Sequence, residues 1–100
     1  MSVEVFVDSD NQYIQVKGEL TCNTVMDALS QFAKQCKALP NWVIDFTQVT
    51  KVDSTAIAML IELKRNAINR NKTISFIYLP DTLLKIAKLS QVDGLISEKN

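Results

Sequence analysis

The chain has 100 residues, 11 Lys plus Arg against 11 Asp plus Glu, no histidine, and 47% hydrophobic residues. That length makes one domain, spanning residues 1–100, with enough apolar content for a single core. Without histidine there is no Ser-His-Asp triad, no Cys-His dyad and no imidazole metal ligand; Gly18 and Gly94, the only glycines, lie too far apart for a phosphate-cradling loop; and a net charge of zero leaves no basic excess for nucleic acid.

Val3, Val5 and Val7 recur at every second position, the period of a half-buried strand. Asp8-Ser9-Asp10-Asn11 is a polar turn, and Tyr13 to Lys17 resumes the alternation through Ile14 and Val16, with Gly18-Glu19-Leu20 ending the second strand. Thr24 followed by Asp27 has the spacing of a helix-capping pattern in which the hydroxyl accepts an orphan backbone N–H. Behind it, Val25, Leu29, Phe32, Ala33 and Cys36 share one helical face, and Leu39-Pro40 stops the helix. Trp42 to Phe46 is a short apolar run that reads as a strand covered on both faces, followed by a loop from Thr47 to Asp53 anchored by Val49 and Val52.

A second helix is predicted from Ser54 to Asn69, with Ile57, Leu60, Ile61 and Ile68 on its core face and Met59 and Leu63 as an extra apolar edge. Thr73 to Leu79 reads as a fourth strand, Asp81 to Ser90 as a third helix, and Val92, Leu95 and Ile96 as a last short helix or packed tail. The predicted order is ββαβαβα: an α/β fold with a mixed four-stranded sheet, a hairpin start, and right-handed strand-helix-strand crossovers.

Cys22 and Cys36 form no CxxC pair, and with Cys36 on the buried face of the first helix both read as reduced thiols of a cytoplasmic protein. The start, MSVEVFVDSD, is acidic where a secretory signal is basic. The longest apolar run, Ala56 to Ile61, is far short of the ~20 residues of a membrane span, so no direct membrane insertion is expected.

In parallel α/β sheets, binding sites gather where strands lead into helix N-termini. That points to Val52-Asp53-Ser54-Thr55-Ala56, with three capping-competent residues in a row although one satisfies a helix end. Read as composition, this is an N-cap through Asp53 or Ser54 with Thr55 merely next in line; read functionally, the surplus hydroxyl is offered to a partner or a kinase. Ala58, Met59 and Leu63 read as core or, at a helix start, as part of a docking surface. Lys64, Arg65, Arg70 and Lys72 read as a solvated face, Trp42 as a residue at the edge of the core, and Asp45 as a strand-end acid with no second catalytic group beside it.

The segment Val43-Ile44-Asp45-Phe46, Val49 and Val52-Asp53-Ser54-Thr55-Ala56-Ile57-Ala58-Met59-Leu60 resembles the signature of STAS domains, and Lys17-Gly18-Glu19-Leu20 extends the likeness to nearly the whole chain. The tail, Ile86-Ala87-Lys88-Leu89 and then Val92 to Ile96, is more similar to the STAS subunit of Mla-type phospholipid ABC transporters than to anti-sigma factor antagonists. The resemblance implies a non-catalytic protein of a Gram-negative bacterium, without a cofactor or metal, cytoplasmic and peripheral to the inner membrane. It would bind the transporter's ATPase subunit through Asp53, Ser54, Thr55, Ala56, Ala58 and Met59.

The alternative implied is an anti-sigma factor antagonist whose partner is a serine kinase and whose phosphorylated hydroxyl matches Thr55; the hydroxyl that matters for ATPase binding matches Ser54. Ala56 stands where the family usually has Gly, placing a methyl group where a partner's backbone approaches, which tells against the antagonist. A phosphate on Ser54 or Thr55 sits in the favourable field of the helix N-terminus but adds about two negative charges beside Asp53, opposing docking without unfolding the domain.

Overall fold

Alternating valines and isoleucines make β1 (Val3–Asp8) and β2 (Tyr13–Leu20) an antiparallel hairpin in the computed structural model, which describes residues 2–8, 10, 12–35 and 39–89. They are followed by α1 (Val25–Gln35), β3 (Asn41–Val52), α2 (Thr55–Asn69), β4 (Thr73–Ile77) and α3 (Asp81–Leu89), the ββαβαβα order expected from the sequence. The sheet runs β1-β2-β3-β4, with β2, β3 and β4 mutually parallel. Both parallel crossovers step the same way across the sheet, and right-handed connections therefore lay α1 and α2 on one face, where they pack against each other.

Between the layers, Val3, Val5, Ile14, Val16, Leu20, Ile44, Phe46 and Phe76 of the sheet meet Ala28, Phe32, Leu60, Leu63 and Leu83 of the helices. Phe46 and Phe76 meet edge to face, centroids 5.9 Å apart, an arrangement that adds to their burial. Across the opposite face, Phe6, Gln15, Asp45 and Ile77 align strand by strand. Asp45 is buried there and hydrogen-bonded on both oxygens: it accepts from Gln15 Nε2 at 3.2 Å, Thr47 N at 2.8 Å and Thr47 Oγ1 at 2.5 Å. The outer edge of β1 is covered by Gln31 of α1, whose carboxamide accepts from Val5 N at 2.7 Å and donates to Val3 O at 3.0 Å, as a neighbouring strand would.

Several elements differ from expectation. Thr47 to Val52 is strand rather than loop, because Lys17, Gly18, Glu19 and Leu20 of β2 pair with Gln48, Val49, Lys51 and Val52. Asp45 is consequently mid-strand, not at a strand end. β4 stops at Ile77, since Tyr78 takes φ 57 and turns the chain off the sheet. On α2, Ala56, Ile57, Met59, Leu60, Leu63 and Ala67 are the buried residues, so Ile57 and Leu60 face the core as expected, whereas Ile68 is 66% exposed. On α1, Ala28 and Phe32 are buried and Ala33 is exposed.

Thr24 does not cap a helical N–H: its hydroxyl accepts from Thr21 N at 3.0 Å and donates to Glu19 O at 2.7 Å, while Asp27 accepts from Gln31. Lys72, expected on a solvated face, donates to Leu39 O at 2.7 Å, with its ammonium 5.9 Å from the centroid of Trp42. The expected burial of Cys36 and the expected tail from Val92 to Ile96 lie outside the described residues.

Candidate functional site

β2 and β3 end side by side at Leu20 and Val52, and each hands the chain to a helix. One exit is the turn Thr21–Thr24 leading into α1; the other is Asp53–Ser54 leading into α2. Asp53 binds the two exits together. Its N–H donates to Leu20 O at 3.2 Å, and its carboxylate accepts from Cys22 N at 3.0 Å on one oxygen and from Thr55 N at 2.9 Å on the other. The Thr55 hydroxyl also donates to that second oxygen.

Asp53 is therefore the cap of α2: its side chain satisfies an orphan N–H and its own C=O accepts Ala56 N at 3.1 Å. Ser54 takes helical dihedrals, φ −65 and ψ −20, and its side chain makes no capping bond. Of the three residues able to cap, the chain uses the first and leaves the second exposed.

The hydrogen bond from the Thr55 hydroxyl is the main influence holding the Asp53 carboxyl below the ordinary aspartate value of 3.8, with the Cys22 and Thr55 amides and nearby Lys51 acting the same way against partial desolvation. A folded-state value lowered in this way stabilises the fold above the ordinary aspartate range, and that share is lost as pH falls through Asp53's own titration. Thr55→Val keeps the side-chain shape and removes the hydroxyl, so Asp53 should titrate closer to 3.8 in the variant. Carboxyl carbon shifts followed by NMR read this directly; identical titrations in the two proteins would remove Thr55 as the cause.

Of the six residues expected to meet a partner, Asp53, Ser54 and Thr55 lie together at this exit, and Ala58 is exposed one turn further along α2. Ala56 and Met59, at 0% and 2% exposure, point into the core, because the buried stripe of α2 runs through them. Their contribution is to the seating of α2.

Two neighbours were missed. Cys22 is exposed on the turn that Asp53 holds, and Met26, 76% exposed, stands on the first turn of α1. Met26 had a signal, being an apolar residue off the helix's apolar face; Cys22 had none, because its tie to Asp53 spans 31 positions. Among the described residues, no three His, Cys, Asp or Glu side chains gather as metal ligands.

A family model described as "Mlab, STAS domain" matches residues 5–97 of the chain. No curated protein matches it. Among the described residues, no helix is long and apolar enough to cross a membrane.

Proposed function

The chain belongs to the STAS domain family, and from that premise we propose that it works by binding, as the non-catalytic subunit that docks on the ATPase of a phospholipid-trafficking ABC transporter and stabilises or regulates it. The observation that carries this reading is the division of labour at the start of α2. Asp53 caps the helix and ties it to the neighbouring turn, so the exposed Ser54 hydroxyl is not needed for folding. Ala58 beside it is small and exposed, which lets a partner surface approach closely. Thr55 contributes through Asp53, because its hydroxyl is already committed there.

Ser54→Arg and Ala58→Arg should each lower recovery of the ATPase with the tagged protein by about tenfold or more, through bulk and buried charge at the contact. Asn69→Arg, at the far end of the same helix, should leave recovery unchanged. Equal recovery with all three variants would remove this face as the contact. Recovery of a serine kinase in place of the ATPase would favour the anti-sigma factor antagonist.

A further inference from the structure

α1 and α2 run in the same direction, because β2 and β3 are parallel, end side by side, and each helix returns along the sheet from that end. Between the two helices lies a cavity of about 40 Å³, with Leu29 and Ala33 of α1 on one side and Leu63 and Asn66 of α2 on the other. The opposite side of α1 is turned to the outer edge of β1, through Gln31. Ala33 thus marks the side of α1 that faces α2, and Met26, two turns earlier, falls on that same side. Two turns before Asn66 on α2 stands Met59, with the exposed Ala58 beside it. Met26 is therefore level with Ala58 where the two helices begin.

The fold makes no use of the Met26 side chain. In the first turn of α1, Val25 and Ala28 take the inward positions, and Met26 is 76% exposed. Among the described residues, the other large apolar side chains that helices leave exposed are Ile68 and Leu89, and both stand at the far ends of their helices. Met26 shares the end that carries Ser54. The turn before it is fixed to the start of α2 by the bond from Cys22 N to the Asp53 carboxylate at 3.0 Å, so both helix starts are presented as one connected unit.

We infer that Met26 is the apolar anchor of the docking surface proposed above, and that the ATPase meets the starts of both helices, with an apolar socket for Met26 and a raised surface over Ala58. The inference rests on that reading and extends it to the second helix. A long, flexible thioether side chain gains contacts only in an apolar recess, and the small Ala58 beside it leaves a hollow that a flat partner would not fill. Asp53 and Thr55 have already spent their polar groups on each other and on Cys22 N, so Ser54 supplies the polar contact beside this anchor.

Met26→Gln and Met26→Leu test the anchor, because Met, Gln and Leu have similar helix propensity and differ here in polarity. The probe is the ATPase that is recovered with the tagged parent chain, purified and titrated with each variant. Met26→Gln should weaken binding by about tenfold or more, Met26→Leu by about twofold or less, and neither should move the thermal midpoint. Saturating ATPase should also slow alkylation of Cys22 by N-ethylmaleimide about tenfold or more, read by mass spectrometry on the peptide that holds Cys22 apart from the one that holds Cys36.

Met26→Gln binding like the parent, Met26→Leu losing as much as Met26→Gln, or Cys22 alkylating equally fast in the complex would each overturn the inference. If Ser54→Arg abolishes binding in those same assays, docking through α2 stands and only its extension to α1 falls. A parent chain that recovers no ATPase overturns both.

Discussion

Gly18→Ala is expected to lower folding stability by about 2–4 kcal/mol, combining a strained backbone conformation with a steric clash. Gly18 has φ 107, a conformation that side-chain-bearing residues avoid, and an added Cβ would stand 2.4 Å from the backbone carbonyl oxygen of Ser2. That carbonyl cannot simply step aside, since it accepts the Glu19 N–H at 3.0 Å and precedes the Val3–Gly18 pair that opens the hairpin. Gly18 also occupies the point where β2 changes register against β3. For a domain of this size the loss corresponds to a fall in Tm on the order of 10–25 °C. Urea unfolding should show a lower midpoint with an unchanged slope. A variant within about 0.5 kcal/mol of the parent would mean that the crossing of Ser2 over Gly18 is looser than described.

Asp53→Ala should cost about 1.5–3 kcal/mol at neutral pH, from a lost helix cap and the lost tie to the Cys22 amide. The same change frees the Thr21–Thr24 turn from the start of α2, so partner binding should fall along with stability. Asp53→Asn separates the two contributions. It retains capping ability and costs less, and because it does not ionise, its deficit against the parent should shrink as pH falls through the titration of Asp53. A deficit that is constant down to acid pH would show that the charge of Asp53 does not contribute to holding the two exits.

The element order was legible because the strands and helices carry their period locally: Val3, Val5 and Val7 for one, the Trp42–Phe46 run for another. Thr47 to Val52 was not, because most of its residues are polar and exposed and its extension comes from pairing with β2, a long-range partner invisible in the segment itself. On α2, Ile57 and Leu60 are buried as expected and Ile61 packs on the core, but Ile68 was misjudged for a different reason. Isoleucines outweigh alanines in any hydrophobic tally, yet Ala28, Ala56, Ala67 and Ala87 are each at 0% exposure. Ile68 was left outside by the same rotation. The candidate site could be found from three adjacent capping residues, but not which of them caps. That depends on the angle at which the chain leaves β3, and it is fixed by Leu20 and Cys22 on another strand exit.

Ser54→benzoylphenylalanine, irradiated in the cells that make the protein, tests docking through the start of α2 most directly. The same photoreactive residue at Asn69 is the control. Docking through Ser54 predicts a covalent adduct with the ATPase subunit of an ABC transporter from position 54 and none from position 69. An adduct with a serine kinase at position 54, or an ATPase adduct from position 69 alone, would contradict it.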